Sequence, residues 1–374
     1  MFRDQLKYTF LALFFLIFLA NPALAQHTEI ADTEGVAPVS TQEKILHEIE
    51  EEEPTIVETI LYHVSDANEN HLGTMGEKHI TIPLPCILIN KETKKVSFFM
   101  SSEFHHAQDG IIDGYKMHHS KIVDAQTGKR DTFYDLSITK NVFNMLIGFF
   151  ILTILFFSIK SSYVKRKGQA PKGAQSFMEP IIDFLIDDIV IKNIGSNYKK
   201  YLPFLLSIFF FILINNLLGL VPFLGSINSS GNISFTMALA MCSLFMINLN
   251  GTKDYWKHIF AMPGVPKWVL IILTPIELLG VFLKPAVLML RLFGNIVGGH
   301  ITVLSIVSLI FIMGKMGENI GGATAGGVVA FPILLFVNAL ELFVAFLQAY
   351  VFTLLSAVFI GAAIEEHHHA EEHH

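Results

Sequence analysis

One apolar stretch, residues 277–300 (ELLGVFLKPAVLMLRLFGNIVGGH), carries Glu277, Lys284, Arg291, Asn295 and His300. It reads as a membrane helix, in which an arginine costs roughly 2.5–3.5 kcal/mol to insert. A chain tolerates that cost only where the guanidinium meets a partner or a wet cavity. Glu277, Lys284 and Arg291 recur every seven residues. At about 100° per residue they fall near one line on a helix, with Asn295 about 40° further round. His300 comes out about 180° from Arg291 and faces something else. A second apolar stretch supplies Asn338, Glu341, Ala345 and Gln348 in a 3-4-3 spacing that makes one stripe. Histidine and glutamate suit proton relay, because imidazole titrates near about 6.5 and desolvation raises a carboxyl from about 4.3. A guanidinium keeps its proton, so Arg291 is a fixed positive charge that blocks a proton or attracts a carboxylate. The same residues also allow a structural reading, an Arg291–Glu341 ion pair holding a helix hairpin.

The elements that must position these groups are membrane helices. The chain has 374 residues, 52% hydrophobic and 16% charged, with several long, nearly uncharged apolar runs. That composition is polytopic and α-helical. A formal net charge of −7 and the lack of a large basic patch argue against a nucleic-acid partner. Cys86 lies in a polar segment and Cys242 in an apolar one, which argues against a disulfide, a zinc site or a thiol redox motif.

Taken in order, residues 1–25 have the pattern of a signal peptide: Arg3 and Lys7, a short apolar core, then Ala23-Leu24-Ala25. Residues 26–140 are polar, with an acidic run at 50–53. From His79 apolar and polar residues alternate in HITIPLPCILIN, KKVSFFMSS and GYKMHHSKIV, which predicts short strands in a small extracytoplasmic domain. The pairs His105-His106 and His118-His119 are better read as solvated surface than as metal ligands. A first span is expected at 141–159. Lys160, Lys165, Arg166, Lys167 and Lys172 follow it and place that end in the cytoplasm. Residues 175–194 set Glu179, Asp183 and Asp187 against an apolar face, as in a helix lying at the membrane surface. Spans at 203–222 and 233–250 flank a Gly/Ser/Asn turn, and a basic segment, 251–267, returns to the cytoplasm. Two long stretches complete the series, 268–313 with Pro275 and Pro285 as kinks, and 328–364. A flexible loop is expected between them at 314–327, and the chain ends in an acidic, His-rich tail at 365–374. A helix over 284–313 would be about 45 Å long against a hydrocarbon core of about 30 Å, so such helices must tilt. The expected fold is an all-α polytopic membrane protein with about five membrane helices, the last two long and tilted. A surface amphipathic helix and a small β-rich extracytoplasmic N-terminal domain complete it.

Several runs then point to one family. NNLLGLVP (215–222), NISFTMAL (232–239), KPAVLMLRLFGN (284–295) and LQAYVFTLLSAVFIGAAIEEH (347–367) resemble subunit a, the stator channel of F-type ATP synthases, over roughly 141–364. The resemblance implies an essential arginine at Arg291, with Asn216, Asn295, His300, Glu341 and Gln348 on a proton path and Glu277 near its cytoplasmic exit. It implies rotary coupling, in which a proton from outside neutralises a carboxylate on a ring of small proton-carrying subunits, and Arg291 separates entry from exit. Its implied partners are that ring, a peripheral stalk subunit and the lipid bilayer of a bacterial inner membrane. It implies no cofactor and no bound metal, and a non-catalytic, proton-translocating role within the complex. Gly219 stands where some members carry an aspartate. The loop at 314–327, the signal peptide and the segment 26–140 are additions relative to compact members. Two rival classes remain, a proton-coupled secondary transporter and a membrane-anchored metal-binding sensor. The first would show an internal repeat, which is not seen. The second would rest on the histidines of 26–140 and of the tail.

Overall fold

The computed structural model describes residues 66–75, 78–107, 110–118, 121–221, 231–262, 265–315 and 318–365. The signal peptide at 1–25, the acidic run at 50–53, most of the turn at 225–232, His119 and the tail from 366 lie outside these residues. The described chain divides into two compact units, one of 141–297 with 339–365 and one of 66–140 with 298–338.

In the second unit, eight strands form three antiparallel sheets: β1 (Glu69–Met75) with β2 (Lys78–Pro83), then β4 (Val96–Met100), β3 (Pro85–Asn90) and β8 (Phe133–Asp135) in the order β4-β3-β8, then β5 (Ile111–Ile112), β6 (Tyr115–His118) and β7 (Lys121–Asp124). The expected strands are present, but β1, β5 and β8 carried too short or too polar a pattern to be read. Tight turns shape the β3–β4 hairpin and the connection that leaves β7. Asn90 Oδ1 accepts from the backbone N–H groups of Glu92 and Thr93, and Asp124 Oδ1 accepts from those of Gln126 and Thr127. The core gathers Cys86, Leu88, Phe99, Phe104, Tyr115, Ile122 and Phe133, with edge-on ring pairs Phe99–Phe104 and Tyr115–Phe133, each 5.0 Å apart.

The segment after β8 is hydrogen-bonded up to the first membrane helix, α1 (Lys140–Lys165). Leu136 N donates to Ile87 O, Ile138 N to Pro85 O and Lys140 N to Ala67 O.

The helical part follows the expected pattern of spans. Helix α2 (Ala174–Phe184) continues through a π-helical stretch, Leu185–Ile191, and one further turn to Gly195, whose φ of 70° breaks the run. Of the expected apolar face Met178, Leu185 and Ile189 are buried and Ile181 and Ile182 half-buried, while Gln175, Val190 and Ile194 are buried as well. Helix α3 (Tyr198–Gly219) is the central element, buried without interruption from Tyr201 to Ile212. Helix α4 (Ile233–Leu249) and the short α5 (Lys253–Phe260) meet at 103°. Thr252 caps α5 through its Oγ1 and donates its N–H to Ala363 O at 2.9 Å.

Helix α6 (Lys267–Met313, 47 residues) runs unbroken through Pro275 and Pro285, and α7 (Ile320–Ile364, 45 residues) follows it. At about 1.5 Å per residue each is about 70 Å long. The expected flexible loop at 314–327 is mostly helix, because α7 already starts at Ile320. The glycines there are packing positions. A Cβ at Gly322 would overlap the Met313 carbonyl, one at Gly314 would lie 2.9 Å from Ala323 Cβ, and one at Gly326 would lie 3.3 Å from Ile310 Cα. Small residues let the two helix backbones close in. Composition alone suggests flexibility; the contact explains the glycines.

Two outcomes follow. Gly322→Val forces the α6–α7 turn apart, with a cost of about 1–3 kcal/mol; a lowered unfolding temperature in detergent checks it, and an unchanged one refutes the tight turn. Cys86 is fully buried, and burial pushes its thiol up to about 12. Because the folded-state value is raised, thiolate formation favours the unfolded chain, and stability falls as pH climbs from about 8.5 through that range. Maleimide added at mildly alkaline pH is therefore expected to label Cys86 only after denaturation; rapid native labelling counts against this core.

Candidate functional site

Helix α6 packs through one seam. Val281, Pro285, Leu288 and Leu292 are buried at 4-3-4 spacing, and the polar stripe flanks them, about 40–80° round the helix. Along that stripe Glu277 and Lys284 are half-buried, whereas Arg291 and Asn295 are exposed. Lys284 Nζ lies 5.3 Å from the ring centre of Phe359 on α7, a cation–π contact. Among the described residues no carboxylate lies within ion-pair distance of Arg291, so the Arg291–Glu341 pair is not formed. Its guanidinium is left on the surface of an apolar helix.

Helix α7 divides in character. Before Gln348 its large side chains face outward: Phe331, Phe336, Leu342 and Phe343 are all more than half exposed, at 68%, 64%, 54% and 62%. From Ala345 onward it packs inward through a row of small residues at four-residue spacing: Ala345, Ala349, Thr353, Ala357 and Gly361. The spacing of this row is present in the sequence, but small residues alone do not mark a contact as a polar stripe marks a site. It lets α7 lie close against its neighbours. A Cβ at Gly361 would overlap the Asn193 carbonyl at the end of the α2 run. Ser243 Oγ on α4 meets Ser356 Oγ at 3.2 Å, and Phe209 on α3 meets Phe346 edge-on at 5.8 Å.

The predicted site residues are therefore only partly assembled. Asn216 is buried on α3 and donates from Nδ2 to Ala345 O at 3.4 Å, one helical turn before the buried Gln348. Glu341 is half-buried, and its Oε1 is enclosed without a hydrogen-bond partner among the described residues. Asn338 is exposed and bonds to Leu334 O of its own helix. His300 is half-buried on the continuation of α6 in the other unit. The residue before Asn216 adds a feature that spacing did not indicate. Asn215 is buried against Gly148 of α1, where a Cβ would lie 2.8 Å from its Nδ2, and its Oδ1 is also enclosed without a partner. Buried amides and an unsatisfied carboxylate oxygen are costly between apolar helices. Ionisable groups that persist in membrane spans are candidates for ion or proton paths.

Residues 142–361 match the family described as ATP synthase A chain. The chain belongs to that family. It is 41% identical over 247 residues to ATP synthase subunit a of Chloroherpeton thalassium, covering 64% of this chain and 71% of that one. It is 40% identical to subunit a of Pelodictyon phaeoclathratiforme, over 64% and 71% of the two chains, and 39% identical to that of Myxococcus xanthus, over 66% and 79%. Residues 59–144 match a separate Domain of unknown function (DUF8433).

For the family's membrane part, the tight approach at Gly361 has a direct consequence. Gly361→Val places a branched side chain against backbone, so α7 is expected to lose its seat and membrane-assembled protein to fall several-fold. Full assembly of that variant, measured by native electrophoresis, counts against the contact.

Proposed function

We propose that this chain is the stator subunit of the membrane sector of a rotary ATP synthase and provides two proton half-channels to a rotating ring of carboxylate-bearing subunits. The observation that carries the reading is Arg291, an exposed guanidinium on an apolar helix with no ion-pair partner among the described residues, within a chain of the ATP synthase A chain family. A guanidinium so placed needs a carboxylate supplied by another subunit. A proton would enter from outside by way of Asn216, His300, Glu341 and Gln348 and neutralise a ring carboxylate, which can then face lipid at low cost. After nearly a full turn the carboxylate would lose its proton near Glu277. Arg291, with Asn295 beside it, would attract the ionised ring group and keep the two paths apart.

In this reading residues 1–25 direct the chain to a bacterial inner membrane and 26–140 form a domain outside it. Residues 141–364 form the channel part, and the tail from 365 is cytoplasmic. The basic cluster from Lys160 to Lys172 supports that orientation. The ring and a peripheral stalk subunit would be its partners. Membership of the family disfavours the secondary transporter.

The test is proton-driven ATP synthesis in vesicles containing the whole complex. Arg291→Ala is expected to reduce coupled synthesis to background, with a passive proton leak or none. Normal synthesis by that variant overturns the assignment.

A further inference from the structure

The sheet β4-β3-β8 buries one face in the domain core and leaves the other apolar. On that outer face Ile87 pairs with Phe98, while Ile89 pairs with Val96 on one side and Tyr134 on the other. Leu136 continues the row beside Ile87, to whose carbonyl its N–H is bonded. Phe98 is 68% exposed, Val96 60%, Tyr134 48% and Leu136 39%, so no described element covers the face. In a sheet with one solvated face, these outward positions should be polar. A contiguous exposed patch of this kind marks a surface that docks on something.

Two observations identify the occupant. The patch is close in the chain to a membrane span: Leu136 stands only four residues before the start of α1, and hydrogen bonds at Leu136, Ile138 and Lys140 hold that segment to the domain. Four residues reach at most about 14 Å, so the patch stays within that chain length of an apolar helix. The rim has the chemistry of a bilayer boundary. Lys91 and Lys94 stand at the β3–β4 turn beside Glu92, with Lys95 held by Asp113 at 3.0 Å, and Lys91 Nζ lies 4.9 Å from the centre of the Tyr134 ring. Aromatic rings with lysines that reach to headgroups are the anchors proteins use at that depth. We infer that the outer face of this sheet rests on the bilayer, with Phe98, Val96 and Tyr134 at the boundary between headgroups and acyl chains. The domain would then be a second membrane contact, distinct from the spans and independent of the proton path.

The experiment places nitroxide labels at Val96→Cys, Phe98→Cys and Tyr134→Cys, and at Lys129→Cys on an exposed turn as control. The whole complex is reconstituted in phosphatidylethanolamine–phosphatidylglycerol vesicles. The unsubstituted chain, whose two thiols are buried, is the labelling blank. Retained protection of Cys86 from maleimide reports that the domain is folded in each variant. Collision with oxygen relative to a water-soluble nickel chelate is expected to be several-fold higher at the three sheet positions than at Lys129. Nickel access at Phe98→Cys equal to that at Lys129→Cys overturns the proposal, since the face then sits in water. Exclusion of both reagents also overturns it, since the face is then covered by protein, either another subunit or another segment of this chain.

Discussion

A fixed positive charge carried on an apolar helix is the constraint on which the membrane part depends. Lipid offers no counter-charge, and a guanidinium cannot discard its own. Helix α6 places Arg291 beside the seam that packs against the rest of the unit, so the group is held by its backbone yet kept from internal neutralisation. An internal ion pair with Glu341 would have made a stable hairpin and a closed site. The absence of such a pair among the described residues leaves the charge available to a partner.

The geometry of α7 complements that arrangement. Its second half is fixed by small residues at four-residue intervals, which bring backbone against backbone at Asn193 and hydroxyl against hydroxyl at Ser356. Its first half turns large apolar side chains outward. One end is thus anchored and the other offers a smooth face to lipid or to another subunit. Asn216 joins the two regimes by bonding to the α7 backbone at Ala345, beside Gln348.

The strand-rich domain obeys a different rule. Water can satisfy its edges, so it needs only a small core of aromatic and aliphatic residues around Cys86 and Leu88. Backbone hydrogen bonds hold the segment after β8 to this domain as far as Lys140.

The sequence by itself determined the membrane class, the succession of spans, the strands from His79 onward and the family. It also singled out Arg291 as the residue to explain. These are local properties: apolar runs, alternation, charge asymmetry and a compact motif all survive in one dimension. Only the tertiary structure decided that Arg291 and Glu341 do not pair, that Asn216 reaches the backbone of α7, and that the glycines near 322 are packing positions. It also decided that the sheet of β3, β4 and β8 has two apolar faces. Alternation told that Phe98 and Phe99 point in opposite directions, but either face could have been the inner one. Which contacts form depends on helices distant in sequence and on the room each small residue leaves between backbones. Neither quantity is carried by any single stretch of the chain.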